Sequence, residues 1–227
     1  MIPISDRLPT RRFPIMTVLL IVANVVIFGF ELLLDMLGLL EPFIYAFGVV
    51  PYRVLHQFDA LTAFSFFSSM FLHGGFLHLA GNMLYLWIFG NNVEDALGHF
   101  RFLIFYFLCG VLASLAQVLA SVNSTIPGIG ASGAIAGVLG AYLVLFPHAR
   151  IITLIPLGIF TQLAELPAVI VLGFWFILQL FNGVLALGLP SAGGVAWFAH
   201  IGGFVAGWLL VRLFAIGRRQ AIRYYHY

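Results

Sequence analysis

At 227 residues the chain is long enough for one or two soluble domains, but 63% of it is hydrophobic and only 8% is charged, against roughly 45–50% and 25% in globular proteins. That balance excludes an ordinary soluble domain and reads as a membrane protein. The net charge of +2 reflects where the arginines fall relative to a bilayer and does not point to nucleic acid.

Six apolar segments can be cut out, at about 15–37, 77–97, 102–122, 131–147, 166–188 and 196–216, each near the roughly 17–25 residues that cross a hydrocarbon core. Backbone polar groups in lipid need internal partners, and these segments lack the ten-residue alternation of a membrane barrel, so they are predicted to be helices. All ten basic residues are arginine. With the N-terminus inside, Arg7, Arg11, Arg12, Arg101, Arg150, Arg212, Arg218, Arg219 and Arg223 fall on the inner side and Arg53 alone falls outside. This positive-inside bias predicts six spans with both termini in the cytoplasm, and it puts the arginines beside anionic lipid heads.

Residues 1–14 read as a short cytoplasmic N-terminal segment, 15–217 as the membrane domain and 218–227 as a basic cytoplasmic tail. The first segment follows Arg11-Arg12 but is longer than a signal h-region and has no small-x-small cleavage site behind it, so it reads as an uncleaved helix. It ends near Glu31 and Asp35, acids expected to mark the outer interface. The connection from about 38 to 76 is rich in aromatic residues, among them Phe43, Tyr45, Phe47, Tyr52, Phe58, Phe64, Phe66, Phe67 and Phe71. A loop this long and this aromatic is expected to be functional and to lie in the interface or partly in the bilayer.

The second segment opens with His73-Gly74-Gly75-Phe76-Leu77-His78-Leu79-Ala80-Gly81-Asn82. His78 and Asn82 are four apart, so they share one helix face. Glu94 and Asp95 follow twelve or more residues after Asn82, ~18 Å deeper at 1.5 Å per residue. They are expected to pair with basic groups at the inner interface. In the third segment Ser114, Gln117 and Ser121 form a polar stripe read as helix glue, and Cys109, the single cysteine, reads as a small buried hydrophobe.

The fourth segment begins Gly128-Ile129-Gly130-Ala131-Ser132-Gly133 and continues its small-residue face through Gly137, a pattern that lets backbones approach closely. Residues 148–165 read as an inner loop, Pro167 as the start of a bulky fifth helix that is lipid-facing or loosely packed, and 189–194 as an uncharged outer loop. The sixth segment repeats the pattern of the fourth, with His200 on the face that carries Gly203 and Gly207.

The second, fourth and sixth segments all run from outside to inside, which gathers His78, Asn82, Ser132 and His200 a turn or two below the outer surface. Polar side chains at that depth are costly and tend to be functional. A serine within reach of a histidine is an activatable nucleophile. At a helix N-terminus its free N–H groups and the helix dipole would stabilise an oxyanion. No acid reaches this depth, so the chemistry predicted is that of a Ser–His dyad. The glycine-rich approach would admit water.

The motifs GASG, HGGxxHLxxNM and AHxxGxxxG, in three separated segments and in that family's order, resemble the rhomboid family of intramembrane serine proteases over about 65–215. The resemblance implies an all-α, polytopic six-helix bundle with a long membrane-associated first outer loop. It implies Ser132 as nucleophile, His200 as general base, and Asn82, His78 and the Ser132 backbone N–H as oxyanion hole. It makes His73 a structural group for the outer loop, Gly130 and Gly133 structural glycines around the nucleophile, and Gly203 and Gly207 the surface on which the sixth helix packs against the fourth. The implied substrates are single-pass membrane proteins cut near the outer end of their spans. The implied site is the plasma membrane, in a prokaryote the inner membrane, with the fifth helix and the loop after it as gate and cap.

Two positions depart from the family pattern. Phe64-Ser65 stands where many members carry Trp-Arg, and Ala136 stands four residues after the serine, where an aromatic often stacks on the histidine. Orientation of His200 is then expected from elsewhere, with Trp197 and Phe198 the nearest aromatics in sequence. A zinc site built from His73, His78 and His200 is the first rival, but no HExxH is present, and neither metal nor cofactor is expected. The second rival is a non-catalytic binder of membrane helices, or a transporter, using the same polar cavity. Oligomeric state stays open.

Overall fold

A computed structural model of the chain describes residues 1–157, 160–188 and 195–215. The predicted outer loop at 189–194 and the basic tail at 218–227 lie outside the described residues. The elements in order are β1 (Ile2–Asp6), α1 (Ile15–Met36), α2 (Leu40–Phe47), α3 (Pro51–His56) and α4 (Ala60–Ser68), which runs into a short 3-10 turn, Ser69–Phe71. They continue with α5 (Phe76–Tyr85), a π turn (Leu86–Gly90), α6 (Asn91–Leu97), α7 (His99–Ala120), α8 (Ser132–Leu145), β2 (Arg150–Leu157), β3 (Phe160–Pro167), α9 (Ala168–Gly188) and α10 (Trp197–Phe214).

The protein is a mostly helical, polytopic membrane protein. Among the described residues four helices are long and apolar enough to span a bilayer, Ile15–Met36, His99–Ala120, Ala168–Leu187 and Trp197–Phe214. Ala60–Phe71 and Phe76–Leu97 form a pair bent by 81°. The apolar helix α8 is shorter than these spans, with 14 residues. At 1.5 Å per residue it covers ~21 Å, well short of a hydrocarbon core of ~30 Å. At least one of its ends therefore lies below a membrane surface, and the chain joined to that end must dip to meet it.

α8 forms the centre of the bundle because almost nothing on it is larger than its neighbours can accommodate. A Cβ on Gly207 of α10 would come within 1.9 Å of the Gly137 carbonyl oxygen, and one on Gly203 within 2.0 Å of the Gly133 oxygen. A Cβ on Gly140 would meet the Phe204 oxygen at 2.2 Å. The two helices thus cross backbone to backbone, with apolar groups on the remaining faces of α8 buried against α7 and the π turn. Cys109 is fully buried in this core.

α9 lies outside this crossing. Phe174 and Phe181 are exposed, as a lipid-facing helix requires, whereas Phe176 stacks on Phe204 of α10 with centroids 4.4 Å apart, and Trp175 also turns inward. The predicted lipid-facing character therefore holds for only one side of the helix.

The acids at the far end of the second segment do more than mark an interface. Glu94 is fully buried and accepts hydrogen bonds from Met16 N–H at 2.9 Å, Thr17 N–H at 2.7 Å and the Thr17 hydroxyl at 2.7 Å. α1 starts at Pro14 with no side-chain cap of its own, so a carboxylate from α6 satisfies its first N–H groups and its dipole. Asp95 accepts from Arg11 N–H at 2.8 Å.

At the same end the structure adds a feature that helical periodicity does not reveal. The segment read as a plain inner loop, together with the N-terminal lead, forms a three-stranded antiparallel sheet in the order β1-β2-β3. Arg7 and Glu165 tie β1 to the far strand at 2.6 Å. Asp6 accepts from the Tyr142 hydroxyl of α8 at 2.6 Å.

Burial pushes the Asp6 carboxyl up from 3.8 to about 6, against the pull of the Tyr142 and backbone hydrogen bonds. A carboxyl that binds its proton more tightly when folded contributes stability that is fully present below its unfolded pKa and is lost as pH rises through the folded one. Between about pH 4 and pH 7 the thermal midpoint of the wild type is therefore expected to fall relative to that of Asp6→Asn, which keeps an oxygen for Tyr142. Parallel midpoint curves for the two proteins would rule this linkage out.

Candidate active site

The aromatic loop is held together by polar contacts. Arg53 is buried, donating to the Tyr45 carbonyl at 2.7 Å and to the Thr62 hydroxyl at 3.2 Å, and so joins α2, α3 and α4. Asp59 caps α4 by accepting from Thr62 N–H at 2.7 Å. The Ser68 hydroxyl donates to the Phe47 carbonyl at 2.7 Å. With Phe64-Ser65 in place of Trp-Arg, the guanidinium that organises this loop comes from α3. Val49 and Gly128 exchange backbone hydrogen bonds, and Gly130 N–H donates to the Ser69 carbonyl at 2.8 Å, so the same loop fixes the backbone just before Ser132.

His73 sits where the bent pair turns, and its backbone N–H and both ring nitrogens are engaged. Its backbone N–H donates to the Glu31 carboxylate at 3.1 and 3.2 Å, and its Nδ1 faces the Phe71 carbonyl at 3.2 Å. Glu31 is only 1% exposed, which corrects the expectation of an interfacial acid: the α1 carboxylate reaches inward to an orphan N–H at the start of the second segment. A ring nitrogen facing a carbonyl must carry the proton. His73 Nε2 is then an acceptor, and it takes a hydrogen bond from Asn82 Nδ2 at 2.9 Å. That contact fixes which way the Asn82 amide points.

His78 is determined in the same way. Its Nδ1 accepts from Gly74 N–H at 3.2 Å, which leaves Nε2–H as the free donor. Gly130 is the residue it faces: at φ +119 only glycine is at ease, and a Cβ there would lie 2.8 Å from His78 Nε2 and 3.7 Å from Asn82 Nδ2. Two side-chain donors and the first turn of α8 thus converge on one small volume.

Ser132 is the first residue of α8, so its N–H and the next ones have no carbonyl of their own helix to bond. Its hydroxyl lies 2.9 Å from His200 Nε2 on α10. The backbone-to-backbone crossing of α8 and α10 is what makes this distance possible. The serine opens onto a cavity of ≈ 520 Å³ whose lining includes His78, Gly130, Ser114, Gln117 and Trp197.

His200 Nδ1 faces Gln179 Oε1 of α9 at 2.8 Å. The ring also lies between Trp175, 5.9 Å away, and the edge of Trp197, 6.2 Å away. Of the two aromatics expected near His200, Trp197 meets the ring, while Phe198 uses its N–H to donate to Gln117 Oε1 at 3.1 Å. Gln117 also accepts from Ala199 N–H at 3.2 Å and donates to the Ser121 hydroxyl at 3.0 Å, so it caps the start of α10. Sequence reasoning missed Gln179 and Glu31. Gln179 and Asn182 are the two amides of α9, and polar groups in an apolar segment are the signal that points to the first.

The profile of the Rhomboid domain matches residues 60–216, more than half of the chain. The chain belongs to the rhomboid family. It is 38% identical over 105 residues to mitochondrial Rhomboid protein 1 of Saccharomyces cerevisiae, which covers 44% of this chain and 30% of that protein. It is 38% identical over 135 residues to the Rhomboid protease GluP of Bacillus subtilis, covering 54% and 25%. It is 36% identical over 146 residues to the RHOMBOID-like protein 5 of Arabidopsis thaliana, covering 63% and 41%. The matched region thus spans between a quarter and about two fifths of these rhomboid relatives.

Proposed function

We propose that this rhomboid protein is an intramembrane serine endopeptidase that cleaves single-pass membrane proteins near the outer end of their transmembrane segments. The observation that carries the reading is the 2.9 Å contact between Ser132 Oγ and His200 Nε2, at the start of a helix that falls short of spanning the bilayer. In this reading His200 takes the hydroxyl proton while Ser132 Oγ attacks the substrate carbonyl carbon. The oxyanion is held by the Ser132 N–H, Asn82 Nδ2 and His78 Nε2–H. His200 then gives the proton to the leaving amide nitrogen, and the C–N bond breaks to leave an acyl-enzyme. Water entering through the cavity attacks the ester with His200 again as base, which releases the second fragment and restores the hydroxyl.

His73 acts behind the site, by orienting the Asn82 amide. Gly130 leaves room for the donors, and Gly133, Gly203 and Gly207 let the nucleophile and base helices approach. The bias of arginines to one side of the spans supports both termini in the cytoplasm and a membrane domain of about 15–217 in a prokaryotic plasma membrane. Neither metal nor cofactor enters these steps. Sequencing the products released from a panel of membrane proteins tests the reading. Cuts at one membrane depth support it, and the absence of any Ser132-dependent product would sink it.

Asn82→Ala is expected to lower kcat by about a hundredfold with KM nearly unchanged, because its donor strengthens as the oxyanion forms. A variant weakened only in substrate binding would remove Asn82 from the oxyanion hole.

A further inference from the structure

We propose that Gln179 is the third member of the site, a positioning residue that selects the productive tautomer of His200. The proposal rests on the protease reading above and adds to it a residue from α9. For Nε2 to take the serine proton it must carry a lone pair, so the ring proton must sit on Nδ1. With the proton on Nε2 instead, the histidine would donate to the hydroxyl and could not act as base. Which form is present is decided by what Nδ1 faces.

The amide could in principle present either end to the ring. Gln179 Nε2 donates to the Trp175 carbonyl one turn back at 3.3 Å, and a carbonyl accepts only. A flipped amide would set two oxygens against each other there. Oε1 is therefore the end that faces His200 Nδ1, at 2.8 Å, and an oxygen facing Nδ1 holds the proton on it. Gln179 is only 7% exposed, so water does not compete freely for the contact. The hydrogen bond from Gln179 orients the ring together with Trp175 of the same helix, whose ring centroid is 5.9 Å away. An amide suits this depth: it supplies the acceptor of a catalytic triad without the desolvation cost of a buried carboxylate.

The contact reaches His200 from α9 alone, so the base is fully oriented only while α9 lies against α10. The test compares Gln179→Met, which keeps the shape of the side chain and removes the acceptor, with Gln179→Glu, which keeps an acceptor oxygen in either protonation state. Steady-state cleavage of a transmembrane substrate and the rate of fluorophosphonate labelling of Ser132 are read for both. Gln179→Met is expected to lose about 10- to 100-fold in kcat, with KM moved less than about threefold and labelling slowed in parallel. Gln179→Glu is expected to recover to within about fivefold of wild type.

Full activity in Gln179→Met overturns the assignment of Gln179 and leaves the protease reading standing. Equal loss in both variants also overturns it, since shape and not the acceptor would then be what matters. If the wild type itself neither cleaves nor labels, the protease reading fails first.

Discussion

Ser132→Ala is expected to lower the cleavage rate of a transmembrane substrate by ~10⁴-fold or more, His200→Ala by about as much, and the double variant by no more than either single one. The reason is that the two groups act as one device. Without the base, the hydroxyl keeps its proton and is a poor nucleophile. Without the hydroxyl, His200 has no proton to take. The residual rate then belongs to the oxyanion donors and to substrate positioning, which neither change touches. Ser132→Ala is also expected to abolish fluorophosphonate labelling, and His200→Ala to slow it severely. Substrate capture by Ser132→Ala should persist, because the cavity of ≈ 520 Å³ and its lining are otherwise unaltered. Multiplicative losses in the double variant would mean that serine and histidine work independently, and the dyad would have to be abandoned.

Gly207→Val is expected to be the most damaging single change outside the site. A Cβ at this position would stand 1.9 Å from the Gly137 carbonyl oxygen and 2.6 Å from its Cα, so the obstacle is backbone, which cannot swing aside as a side chain can. α10 must move away from α8, and overpacking of this kind costs ~3 kcal/mol or more. Because His200 lies two turns before Gly207 on the same helix, the same displacement opens the 2.9 Å contact to Ser132. The variant should therefore unfold at a lower temperature in detergent and be almost inactive even where it stays folded. Gly29, by contrast, has nothing within 4 Å of a built Cβ. Gly29→Ala is the matched control, and comparable damage there would show that glycine content and not the α8–α10 crossing is what counts.

The reach of the sequence differs from residue to residue for physical reasons. Ser132 and His200 are legible because polar groups are rare in membrane segments and the alternation of direction puts segments two, four and six at one level. The small-residue face of Gly203 and Gly207 is legible because close backbone approach demands glycine. Glu31 is misread for the opposite reason: an acid near a helix end is cheap at an interface, and nothing local says that α1 carries it against the His73 N–H. Arg53 looks like an exposed outer charge until the loop folds back on itself and the Tyr45 carbonyl and Thr62 hydroxyl become its partners. The sheet escapes periodicity because two of its strands are short and close in sequence and the third lies some 145 residues away at the N-terminus.

From the sequence alone come the class of the protein and its apolar segments, since these follow from hydrophobicity and period. The tertiary structure decides how the side chains of Asn82 and His78 are held, through His73 on Asn82 and Gly74 on His78. It also decides that His200 on α10 meets Gln179 on α9. Such contacts join residues from separate helices, at angles set by how glycine faces pack, and hydrogen bonds a few tenths of an ångström too long would not form. Segment order and composition set which groups can meet; only the packing of α8, α9 and α10 sets the geometry in which Ser132, His200 and Gln179 do.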